Sequence, residues 1–85
     1  MKPSLLIALL ITFNVYSQSN AEVAAKKVQE AVTLMDNAKY DESIKLMKEA
    51  IKLDPKYTYF YELAFAHYLK ADYKGAIKIL VSRPK

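Results

Sequence analysis

The stretch Ala38–Met47, "AKYDESIKLM", returns further along the chain as Ala71–Leu80, "ADYKGAIKIL". Each opens on Ala, has Tyr two places on, and sets Ile-Lys four places after that Tyr. The match extends outward. Laying residues 24–56 over 57–85 puts Ala31 on Ala64, Leu34 on His67, Ser43 on Ala76, Ile44 on Ile77 and Met47 on Leu80. Small residues recur where two helices would cross closely, and the aromatic recurs at the start of each second helix. A period of roughly 20–50 residues is the mark of one supersecondary unit written more than once.

The unit reads as helix–turn–helix. From Ala21 to about Asn37 there is no Gly or Pro, and Ala24, Val28, Ala31, Val32 and Met35 fall at helical spacing. Residues 36–39 supply a turn. A second helix is expected to start near Asp41, read as its N-cap, with Glu42 in the first turn. Ile44, Met47 and Ile51 mark its apolar stripe, widened by Leu46, Ala50 and Leu53. Asp54-Pro55 ends it, because Pro lacks the N–H the ladder needs and restrains the residue before it. A third helix runs from about Lys56 to Lys70, with Phe60, Leu63, Ala64 and His67 on one side and Tyr61, Phe65 and Tyr68 on another. A fourth runs from Tyr73 or Lys74 to about Ser82, with Ile77 and Leu80 expected inward, and Pro84 stops it. No stretch alternates in the manner of a strand and no Asn-Gly or Asp-Gly pair occurs, so the fold class is all-α: antiparallel helix–turn–helix repeats, about four helices.

Residues 1–17 are of another kind. Met1-Lys2-Pro3-Ser4 is a short positive start, "LLIALLITF" (Leu5–Phe13) is an apolar run, and Val15 and Ser17 provide small residues before a cut. That is the layout of a secretory signal peptide of bacterial style, with cleavage expected between Ser17 and Gln18. The run is shorter than the roughly 20 residues needed to span a bilayer. An uncleaved anchor or a buried N-terminal helix is the alternative. Residues 18–23 then form a polar lead-in, with 18–20 expected to fray.

Composition narrows the function. The chain has 85 residues, 53% of them hydrophobic, a net charge of +4 and no Cys. It cannot form disulfides or a thiolate metal site, so an exported form is held by packing alone. Loss of Lys2 with the leader lowers the charge to +3. That charge is too small and too evenly interleaved with Asp and Glu to argue for nucleic acid.

The repeat resembles the tetratricopeptide repeat (TPR) family. In the second unit Phe60, Leu63-Ala64, Ala71, Tyr73, Ala76 and Leu80 match the family's pattern, and His67 stands where the family usually has Tyr. In the first unit Ala38, Tyr40, Ser43, Met47, Ala50 and Pro55 match. Its first half is degenerate, with Lys27 at the aromatic position and Glu30 at the Leu position. The resemblance implies an α-solenoid fragment, unit 1 at 24–56 and an incomplete unit 2 at 57–85. It also implies a concave groove, lined by the first helix of each unit, that binds peptide segments. The positions that match that groove are Ala25, Val28, Val32 and Met35 in the first unit and Thr58, Tyr61, Phe65 and Tyr68 in the second. The basic and amide clamp that some members use for an acidic peptide end has no counterpart here.

No catalytic set is present. Nucleophilic catalysis needs a Ser or Cys beside an oriented base, and the lone His67 on an apolar helix face reads as a packing residue. One His does not make a zinc shell, adjacent Asp41 and Glu42 point apart on a helix, and a single Gly excludes a Gly-rich phosphate loop. Neither metal nor cofactor is expected. The resulting expectation is a non-enzymatic, exported module that binds a protein or peptide partner in the periplasm or cell envelope. The alternative is a small structural element, self-associating or tethered by its N-terminus, whose aromatic stripe is packing surface. Helical repeats need neighbours to bury their faces, so Ile77, Ile79, Leu80 and Val81 are expected to lack full cover within the chain. Self-association, a partner or further repeats are the possible sources of cover.

Overall fold

The structure, a computed structural model, describes residues 18–84. The expected leader and its cut after Ser17 lie outside the described residues. Four helices follow: α1 (Asn20–Asp36), α2 (Tyr40–Leu53), α3 (Tyr57–Leu69) and α4 (Tyr73–Ser82). Short turns join them, and such connections leave consecutive helices antiparallel. α1 packs on α2, α2 on α3 and α3 on α4. The all-α, helix–turn–helix reading of the sequence holds.

Helix ends explain where the boundaries differ from expectation. α1 begins at Asn20 because Ser19 and Glu22 form a capping box. Ser19 Oγ accepts from the Glu22 N–H at 3.1 Å, and the Glu22 carboxylate accepts from the Ser19 N–H at 3.0 Å. Two orphan N–H groups are thus satisfied, so the helix starts just before Ala21. The N-cap of α2 is Lys39, not Asp41, and no side chain caps it. Asp41 and Glu42 lie in the first turn, where their charge favours the helix dipole.

Both helix–helix turns are built alike. Ala38 and Ala71 adopt positive φ, 62° and 67°. Around Ala38, the Lys39 N–H donates to Leu34 O at 2.8 Å and the Ala38 N–H to Met35 O at 3.0 Å. Around Ala71, Asp72 donates to His67 O at 2.8 Å and Ala71 to Tyr68 O at 2.9 Å. These are the paired bonds of a Schellman turn, a site that usually takes Gly.

The main core lies where α1, α2 and α3 meet. Ala31, Met35, Ile44, Met47, Leu63 and Ala66 form it, and Ala24, Ala50 and Tyr59 form a smaller cluster beside it. Small residues set the close crossing of α1 and α2: Ala31 and Ser43 are fully buried, and Ser43 Oγ donates to Ala31 O at 2.7 Å. Leu63 belongs to this core as expected, but Tyr59 rather than Phe60 is the buried aromatic of α3. Ile77, expected inward, is 62% exposed. Its equivalent Ile44 is covered by α3, whereas no element among the described residues covers α4 in the same way.

Candidate functional site: an apolar groove on α3 and α4

α3 is nearly apolar on all sides. Tyr59 and Leu63 turn into the core, which leaves Tyr61, Phe65 and Tyr68 on the opposite flank. Their steps of four and three positions put them on one helical face. The α3–α4 turn brings Tyr73 and Ile77 against it, with Leu80 one turn further on. Between the helices lies a groove of about 440 Å³, floored by Ala64 and Ala76. Its size falls within the range of ligand-binding clefts.

The aromatic rings continue along its edge. Phe65 and Tyr68 stack at 6.3 Å between centroids, and Tyr68 meets Tyr73 at 5.4 Å, tilted by 55°. At the other end Tyr57 and Tyr61 lie 5.2 Å apart with their hydroxyls 3.1 Å from each other. The Arg83 guanidinium sits over both rings, 5.5 Å from Tyr57 and 5.3 Å from Tyr61, and also donates to Leu80 O. The hydrogen bond from the Tyr61 hydroxyl, followed by Arg83, pulls the Tyr57 phenol below its ordinary value; the same hydroxyl pair pushes Tyr61 up. No residue lining the groove carries a charge.

His67 lies beside the groove and does not line it. Its Nδ1 is 2.8 Å from Asp72 Oδ2, and the other Asp72 oxygen accepts from the Gly75 N–H at 3.1 Å, capping α4. The His67 contact, then the Gly75 N–H, holds the Asp72 carboxyl below its ordinary value. Gly75 leaves room for this pair: a Cβ there would come 2.3 Å from Asp72 Oδ2 and 2.9 Å from His67 Nδ1. His67 therefore braces a turn. The position that matches Asp72 in the first unit is Lys39, so this brace is confined to the second.

The structure divides the eight residues read as a concave groove. Tyr61, Phe65 and Tyr68 come together, in the groove between α3 and α4. Met35 does not belong with them: it is 5% exposed, within the core beside Leu63 and Ala66. Val28 and Val32 are half-buried against that core and flank a separate, more polar depression on α1 with Lys26, Gln29 and Thr33. Thr58 and Ala25 are exposed, and neither lines the groove. Tyr73 and Ile77, which do line it, are site residues that the sequence reading missed. The repeat held the signal, since both match residues of α2 that face α3's side of the first hairpin.

Among the described residues no group of three or more His, Asp or Glu could hold a metal ion. No helix among them is long and apolar enough to cross a membrane. No protein-family model, curated protein or solved structure matches this chain.

Proposed function

We propose that this chain is a non-catalytic protein-interaction module of the tetratricopeptide-repeat type, exported to the periplasm or cell envelope. Its working surface is the α3–α4 groove. The observation that carries the reading is the groove itself, apolar throughout, half-exposed and lined by four aromatic rings. Tyr gives a large contact area with little rotamer freedom to lose, which suits an adaptable binding face. The two left-handed alanines, one repeat apart, support the repeat assignment, since the period extends to the backbone. Export rests on the layout of residues 1–17.

The mode of recognition is helix in groove. Within the chain, α3 already shows what such a surface accepts: an apolar helix presenting Tyr59, Leu63 and Ala66 to the first hairpin. A synthetic peptide of residues 56–70 is therefore the direct probe. Added to isotopically labelled protein, it is expected to shift the resonances of Phe65, Tyr68 and Ile77. Absence of any shift, or shifts confined to α1, contradicts the reading. Export is tested by intact mass: the secreted chain is expected to begin at Gln18, and a mass that retains Met1–Ser17 contradicts it.

A further inference from the structure

The two hairpins carry one surface in two states. In the first, Ala31, Ser43, Ile44 and Met47 are buried; α3 seats Leu63 and Ala66 on Ala31, Ile44 and Met47, with Tyr59 beside them on Ala24 and Ala50. In the second, the matching residues are Ala64, Ala76, Ile77 and Leu80, and they lie in the open groove. Ile44 is 8% exposed and Ile77 is 62% exposed.

The exposed face of α1 from a second copy is a poor match for that groove. The α1 residues that match Tyr59, Leu63 and Ala66 are Lys26, Glu30 and Thr33, all exposed. In the place of Leu63, Glu30 would set a carboxylate against the uncharged lining, at a cost in hydration. Head-to-tail stacking of copies is therefore disfavoured. The α3–α4 face of a second copy offers the groove an apolar surface instead.

We propose that two copies of this chain associate back to back through the α3–α4 face, about a two-fold axis, each covering the other's groove. This rests on the reading of the chain as an interaction module and names its partner. A two-fold contact requires a self-complementary patch; the groove lining carries no charge, and Arg83 at its end lies over the Tyr57 and Tyr61 rings. The area suffices. With about 150–250 Å² per aromatic side chain, the half-exposed Tyr61, Phe65, Tyr68 and Tyr73 offer on the order of 400 Å² per copy. Ile77 and Val81, the two most exposed apolar residues, add to it. Two such faces bury about 1,000 Å², the lower limit for a specific interface, so the dimer is weak and reversible.

Sedimentation equilibrium of the chain expressed from its full sequence, from low micromolar to millimolar concentration, tests this. A single monomer–dimer equilibrium is expected. Ile77→Asp is expected to weaken it by about tenfold or more with unchanged helical circular dichroism, and Thr33→Asp on α1 to leave it intact. Tyr68→Asp serves as the second groove variant should Ile77→Asp lose helix content. A dimer indifferent to the groove variants, or weakened by Thr33→Asp, overturns the proposal. So does a monomer at every concentration. If that monomer still binds the 56–70 peptide, the module reading survives with another partner; if it binds no helix, that reading fails too.

Discussion

Ala38 and Ala71 hold the same left-handed backbone conformation one repeat apart, and they are the two non-glycine residues with positive φ among those described. A side chain with Cβ costs roughly 1–2 kcal/mol in that region. Both are exposed, so no packing is gained in return. Replacement by Gly removes the strain but frees the unfolded chain, at a cost of about 0.4–1 kcal/mol. Ala38→Gly and Ala71→Gly are each expected to stabilise the fold by roughly 0.5–1 kcal/mol, and the double variant measures any coupling between turns that the Lys70–Asp41 ion pair joins. Urea denaturation of the single and double variants checks this.

Met47 and Leu80 occupy matching positions, the first fully buried beneath α3 and the second half-buried beside the open groove. Met47→Ala is expected to cost about 2–5 kcal/mol, as truncations that leave a core cavity do. In a small domain that is a large part of the total stability. Leu80→Ala is expected to cost well under half as much in the monomer, measured by chemical denaturation at low concentration. Equal losses would mean that α4 is covered as α2 is.

Ser43 sits at 0% exposure at the α1–α2 crossing, its hydroxyl donating to Ala31 O. Ser43→Ala keeps the close approach and loses one hydrogen bond, about 1 kcal/mol. Ser43→Val adds bulk at a site with no space and is expected to cost about 1–3 kcal/mol more. The second repeat already carries Ala76 at this position, so Ala76→Ser is expected to gain little. Thermal unfolding of the three variants distinguishes these effects.

Gly75 invites the usual helix substitution, since Ala is favoured over Gly by about 1 kcal/mol in a helix interior. Here the added Cβ would displace Asp72 from His67 and from the α4 N-terminus. Gly75→Ala is therefore expected to lower the melting temperature at neutral pH rather than raise it. The same cap gives a pH dependence. The folded Asp72 carboxyl is held below its ordinary 3.8, first by His67 and then by the Gly75 N–H. Its contribution is present above that ordinary value and is lost as pH falls through the lower, folded one. Glu22, held below its ordinary 4.5 chiefly by the Ser19 backbone N–H, acts in the same direction. Melting temperature is expected to fall with acidification below about pH 4.5, and less steeply in Asp72→Asn.

The helices and their turns were legible because the chain states them twice and because Asp54-Pro55 stops α2 by backbone chemistry alone. The Ser19–Glu22 box was legible too, as Ser followed three places on by Glu, but polar composition around it read as fraying. Tyr59 was not legible as the buried aromatic. Tyr59, Phe60 and Tyr61 are consecutive and point three ways from a helix that is apolar all round, so periodicity could not choose among them. Met35 was misplaced because its burial depends on α3 crossing over it, a tertiary fact. The His67–Asp72 brace spans a turn and depends on the Ala71 backbone and on Gly75, which no spacing rule reports. Ile77 reads as inward by its helix stripe. The stripe is correct, and the neighbour that would bury it is not among the described residues.

The back-to-back contact is tested most directly by distance. The chain has no Cys, so single Cys substitutions at Lys74, exposed on α4 beside the groove, and at Thr33, each carrying a nitroxide, report one pair of labels per dimer and leave the groove lining intact. Pulsed dipolar spectroscopy is expected to find the Lys74 pair the closer across the two-fold axis and the Thr33 pair far apart at the outer ends. A Thr33 pair closer than the Lys74 pair, or no dipolar coupling at Lys74 at concentrations where the chain is dimeric, would contradict the account.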